Sequence, residues 1–254
     1  MGEEGRRLWR AAQTGQILSP WPATTLKWKM KALMVAAWND EGAFVAALAR
    51  TVDVPLSEFG IWPLMLAATH SSASAASALL EAKACVDASS FLIHTGFMTP
   101  LLCAVSCGNV STVQLLLDAK AQADGTYSCS TSPLCRAAAA GHLPVVQLLL
   151  DAGAAINERD VGGRTPLHHA CTDGHVPVVQ LLLDAGAEVN ESGRDGRTPL
   201  HHACTYGHVP VVALLLQAKA NVDMCDNEGR SPLASEGHAA VVALLHQHTQ
   251  GGRT

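Results

Sequence analysis

His168, His169 and Cys171 stand close together, and the same types return at His201, His202 and Cys204, with His175 and His208 shortly after each group. These side chains bind zinc, shuttle protons and act as nucleophiles, so a metal centre and a catalytic site both have to be weighed. A structural zinc needs about four ligands converging at roughly 2.0–2.3 Å, usually from paired cysteines two to four residues apart. Neither triplet offers that pairing. The remaining cysteines, Cys85, Cys103, Cys107, Cys129, Cys135 and Cys225, do not supply the two such pairs that a zinc site needs. Cys103 and Cys107 are four apart, which puts them on one face of a helix. No Gly-x-Ser-x-Gly elbow, phosphate-loop signature or dinucleotide fingerprint is present.

The spacing of the triplets is the stronger signal. Gly163-Arg-Thr-Pro-Leu-His-His-Ala-Cys-Thr172 recurs as Gly196–Thr205, a shift of 33 residues. Pro63, Pro100, Pro133, Pro166, Pro199 and Pro232 mark successive units at intervals of 37, 33, 33, 33 and 33. A weaker unit precedes them, with Ala32 in the proline place. Thr99, Ser132, Thr165, Thr198 and Ser231 come just before the prolines. A hydroxyl N-cap followed by proline is a helix start. The helix from Pro166 should stop at Gly174, as others should at Gly108, Gly141 and Gly207. A second helix follows near Pro177. Its run Val178-Val179-Gln180-Leu181-Leu182-Leu183 is too widely apolar to pack on one side only, so it must lie between copies of itself. The link on to Gly196 reads as a projecting hairpin-like loop.

A 33-residue period carrying Thr-Pro-Leu-His-x-Ala, two helices and a loop resembles the ankyrin repeat, most closely at Thr165 and Thr198. The fold class expected is an all-α repeat solenoid of stacked helix–turn–helix units with projecting hairpin loops. The units run 32–62, 63–98, 99–131, 132–164, 165–197, 198–230 and 231–246. Residues 1–31 form a basic, Trp-containing cap or degenerate repeat, and 247–254 a flexible tail. Four extra residues between Asp87 and Pro100, where Phe91, Leu92 and Ile93 fall, should form a loop, either a tolerated insertion or part of a binding side. Lys83, Lys120 and Lys219 replace the glycine of Gly153 and Gly186 at a position where positive φ would strain them.

In such a stack, equivalent residues of neighbouring units run parallel at roughly 8–10 Å instead of converging. No metal site, no Cys171–Cys204 disulfide, no cofactor and no catalytic residue are therefore expected, and the chain is read as a non-enzyme. The resemblance implies that His168 and His201 brace their loops by hydrogen bonds. It also implies a concave face of loop tips and first helices that binds another protein. Mapped onto this chain, that face holds Arg136; then Val161, Arg164, His169 and Asp173; then Arg194, Asp195, Arg197, His202 and Tyr206; and finally Asn227, Glu228 and Arg230. Arginine and tyrosine are frequent energetic anchors, which puts Arg136, Arg164, Arg194, Arg197 and Tyr206 first.

Charge narrows the partner. Residues 1–31 carry a net +4, while the rest of the chain carries −9. An acidic body is a poor ligand for nucleic acid. The basic front, with Trp9, Trp21 and Trp28, could cap the stack or contact an acidic partner, a lipid surface or nucleic acid. No apolar run approaches the ~20 residues of a membrane span. The first ten residues lack a secretory apolar core, and the eight cysteines read as reduced thiols, so cytosol or nucleus is the expected compartment and a monomer the expected state. The leading expectation is an adaptor or scaffold module. The alternatives are a structural or regulatory subunit and a modification target, since Asn157 and Asn190 resemble ankyrin asparagines that an oxygen-dependent enzyme hydroxylates.

Overall fold

The computed structural model describes residues 26–49, 61–92, 96–124, 132–232, 234 and 239–251. It divides into two compact units, Met1–Gln122 and Ala123–Thr254. The front tryptophans Trp9 and Trp21, and Cys129 with them, lie outside the described residues.

The first unit holds α1 (Leu26–Trp38), α2 (Gly42–Ala49), α3 (Ile61–Thr69), α4 (Ala73–Glu81), α5 (Pro100–Ser106) and α6 (Val110–Asp118). First helices α1, α3 and α5 pack in one row, and second helices α2, α4 and α6 in another. Because α1 begins at Leu26, the boundary expected after residue 31 falls inside a helix. The insertion before Pro100 is a short antiparallel hairpin, β1 (Ser90–Leu92) with β2 (Gly96–Met98), registered Ser90 to Met98 and Leu92 to Gly96. Its apolar and aromatic residues flank a glycine, which favours pairing over an open loop. Cys103 is buried in α5, whereas Cys107 caps the helix end and is exposed, so the two do not share an environment.

The second unit holds α7 (Pro133–Ala139), α8 (Leu143–Asp151), α9 (Pro166–Asp173), α10 (Val176–Asp184), α11 (Pro199–Thr205), α12 (Val209–Gln217) and α13 (Ala239–Gly251). First helices α7, α9 and α11 stack in order, as do α8, α10, α12 and α13. Each first helix starts where its hydroxyl N-cap predicts. The Ser132 hydroxyl accepts the Cys135 N–H at 3.2 Å, while Thr165 and Thr198 form capping boxes with His168 and His201. Pro133, Pro166 and Pro199 supply the preset φ of the first turn.

Gly174 ends α9 at φ 74°, and a Cβ there would meet the His208 ring at 2.6 Å. Only glycine meets both demands. The close approach lets His208 Nε2 reach the Thr172 carbonyl at 3.0 Å, and His175 makes the same contact with Ala139 at 2.9 Å. In α10, Val178, Val179 and Leu182 are fully buried between α8 and α12, while Gln180 and Asp184 bond each other on the outer side. Ala170 and Cys171 of α9 are equally buried, and their small size lets first helices approach closely. Helix α13 runs through residues 247–251 of the segment expected to be a tail, because neither glycine nor proline interrupts it before Gly251.

Candidate interaction face

The loops between repeats of the second unit are built by their own side chains. Asp160 Oδ1 accepts the N–H groups of Gly162 and Arg164, each at 2.8 Å, closing a tight turn. Asp226 does the same for Glu228 and Arg230, both at 3.0 Å. Gly193 holds the corresponding place between them, and Asp195 accepts the Arg197 N–H at 3.1 Å instead. Successive loops are then tied together. Arg194 N–H donates to the Gly162 carbonyl at 2.9 Å, and Asn227 N–H to that of Asp195 at 3.1 Å.

The two bracing histidines do what the resemblance implies. Thr165 N–H donates to His168 Nδ1 at 3.1 Å, which leaves the proton on Nε2, and Nε2 donates to the Arg197 carbonyl at 3.1 Å. His201 repeats this from Thr198 N–H to the Arg230 carbonyl. Burial depresses the His168 ring to about 4, so it is neutral and locked as a donor.

Charges alternate along the loop row. Arg164 meets Asp195 at 3.5 Å and Arg197 meets Asp226 at 3.4 Å, each reaching into the next repeat. Arg230 pairs with Asp226 at 3.0 Å and with Glu228 at 2.7 Å. Arg159 is paired with Glu191. The Arg230 N–H and guanidinium hold the buried Asp226 carboxyl down at about 2. Asp160 and Asp195 are also lowered: burial, the largest single influence, would raise each, but it is outweighed at Asp160 by the Arg164 and Gly162 N–H groups together with His169, and at Asp195 by the Arg197 N–H together with His202 and Arg164. Arg194 is exposed and makes no ion pair among the described residues.

The expected binding residues thus fall into distinct settings. Val161 and Tyr206 are the exposed apolar members, 58% and 55% accessible, and Tyr206 stacks on His208. Asp173, Asn227 and Glu228 are exposed, and Arg164, Asp195, Arg197 and Arg230 form the charged ladder just described. His169 donates from Nε2 to Asp160 Oδ2 at 2.9 Å. Arg136 is half-buried on α7, with no hydrogen-bond partner for its Nε among the described residues. His202 differs most from a surface position: it is only 3% exposed, beneath the loop row. Its Nε2 has no partner among the described residues, and burial, with Arg164 nearby, depresses the ring to about 3.

Sequence reasoning missed Asp160 and Asp226 as loop organisers, although they lie two periods apart. It also missed a second set of ties. The Asn157 side chain accepts the Glu188 N–H at 3.0 Å and Asn190 that of Asn221 at 2.8 Å. Asp124 does the same for Ala155, and in the first unit Asp87 for Gln122.

Three buried thiols are held protonated. Cys135, Cys171 and Cys204 are buried and unpaired with one another, and burial pushes all three up, Cys135 and Cys204 to about 12. Among the described residues no three His, Cys, Asp or Glu side chains converge as a metal site. No helix among them is long and apolar enough to cross a membrane.

Paired helices, hydroxyl-proline starts and inter-repeat loop ties define a helical repeat protein of the stacked solenoid class. The family model for "Ankyrin repeats (3 copies)" matches residues 33–126 and 104–193, and that for "Ankyrin repeat" matches 195–227. The chain belongs to the ankyrin repeat family. Among solved structures it is similar to the human ASB11 ankyrin repeat domain, at 31% identity and a TM-score of 0.72, covering 85% of this chain and 96% of that one. No curated protein matches it significantly. Ankyrin repeats generally mediate protein–protein interaction and are typically not enzymes.

Proposed function

We propose that this chain is a non-enzymatic adaptor or scaffold that binds a protein partner, and that the second unit presents the face formed by its loop row and first helices. The observation that carries this reading is the loop row itself. Hydrogen bonds from one repeat to the next fix the backbone, so the side chains on it are preorganised and lose little freedom on binding. On that rigid row Arg194 is an exposed cation with no ion pair among the described residues, with exposed Val161 in the loop before it and exposed Tyr206 at the end of α11. Arginine, tyrosine and a nearby apolar contact are the residue types that dominate binding energy.

The acidic body argues for a protein partner over nucleic acid, and the chain acts as a monomer in the cytosol or nucleus. Charge reversal of Arg164, Arg194 and Arg197 to glutamate should weaken binding of a captured, purified partner by at least about tenfold and flatten its salt dependence. Binding as tight as wild type would reject this face.

A second reading concerns Asn157 and Asn190. Both side chains bridge to the next repeat by a single acceptor bond, and Asn190 is exposed, so an oxygen-dependent hydroxylase could reach it. Peptide mass spectrometry of the native protein should then show one added oxygen on either residue. Unmodified peptides would dismiss the reading.

A further inference from the structure

Two exposed side chains on the first helices of the second unit are left with polar groups that hold nothing. Asp173 is the last residue of α9, and its carboxylate makes no hydrogen bond or ion pair among the described residues. A carboxylate at that end of a helix faces the negative pole of the dipole, so it is poorly placed for the fold and well placed to attract a cation. Tyr206 stands 33 residues later as the cap of α11. It is 55% exposed, and its hydroxyl has no partner among the described residues.

The packing sets the two side by side. Helix α9 lies against α11, and equivalent residues of stacked helices are roughly 8–10 Å apart. His208 fixes that spacing. Its Nε2 donates at 3.0 Å to the carbonyl of Thr172, the neighbour of Asp173, and its ring lies beside that of Tyr206, with centroids 6.4 Å apart and planes 22° from parallel. One period before Asp173 the position is Ala140, exposed and too small to screen the carboxylate. The row Ala140, Asp173, Tyr206 thus carries one uncompensated negative charge with an open aromatic side chain next to it.

We propose that Asp173 and Tyr206 form a subsite for an arginine side chain of a protein partner. The carboxylate accepts N–H groups from the guanidinium, and the Tyr206 ring packs against its plane. A guanidinium serves both at once, because it binds an aromatic ring within about 6 Å of the centroid while its edge donates to a carboxylate. A lysine ammonium, as a compact point charge, matches this pair less well. The proposal deepens the reading above and rests on it for the ligand being a protein side chain.

N-acetylarginine methylamide tests the subsite without the partner, and the citrulline analogue, of the same shape without the charge, is its control. The chain has two tyrosines, Tyr127 and Tyr206, so ring signals of the full chain labelled at tyrosine are assigned with Tyr206→Leu. In an NMR titration at constant ionic strength, the arginine compound should shift the Tyr206 ring signals saturably and the citrulline compound should not. Asp173→Asn should weaken that response severalfold and melt no lower than wild type. It should also weaken binding of the captured, purified partner severalfold. No saturable shift, an equal shift with citrulline, or an unchanged response or partner affinity in Asp173→Asn overturns the subsite. A lower melting temperature would place the carboxylate in the service of the fold and overturn it too. If the arginine compound has no effect but the charge-reversed triple loses its partner, the face stands and the subsite falls. If Asp173→Asn loses the partner and the triple keeps it, the subsite stands and the loop row falls.

Discussion

His169 and His202 differ by one period and share a sequence context, yet one is paired with a carboxylate and the other is an orphan donor. Leaving a buried donor unmade costs roughly 1–3 kcal/mol, and burial of neutral rings carries a further pH-dependent term. His168 and His202 are held at about 4 and about 3, below the ordinary 6.5. The unfolded chain therefore binds more protons than the folded one below about pH 6.5, and stability falls as the pH falls through that value. Each ring should cost roughly 2 kcal/mol by about pH 5. Melting at about pH 5 should thus lie several degrees below melting at about pH 7; equal or higher values would show that these rings are not buried neutral. The bracing role of His168 was legible from its motif. The fate of His202 was not, because its acceptor sits on a loop whose folding the local pattern does not reveal.

At the scale of elements, helix starts and stops were the most readable features, since a capping hydroxyl, a proline and a glycine act within a few residues of themselves. The positive φ expected at Lys83, Lys120 and Lys219 is present, at 64°, 68° and 65°, where Gly153 and Gly186 adopt 87° and 92°. Lys219 terminates α12, and its strained backbone should be relieved by glycine. Lys219→Gly is expected to stabilise the second unit by roughly 0.5–1 kcal/mol and raise its melting temperature by a few degrees. An unchanged or lower value would mean the lysine gains in contacts what it loses in strain. The hairpin before Pro100 and the run of α13 through Gly251 were less readable. Both depend on pairing or helix continuation that no single residue type announces.

At the scale of the molecule, the 33-residue period identified the fold because no single repeat can bury its second helix alone. The period speaks for the framework, and function belongs to the positions the framework leaves free. Those positions were predicted from the repeat, and the structure distributes them among exposed apolar residues, a charged ladder and one buried histidine. The most direct test is hydrogen–deuterium exchange of the chain with and without its captured partner. Binding should protect amides at residues 161–164, 194–197 and 227–230, and leave the outer side of α8 and α10, around Gln147 and Gln180, unchanged. Protection confined to that outer side would contradict the assignment of the loop row as the binding face.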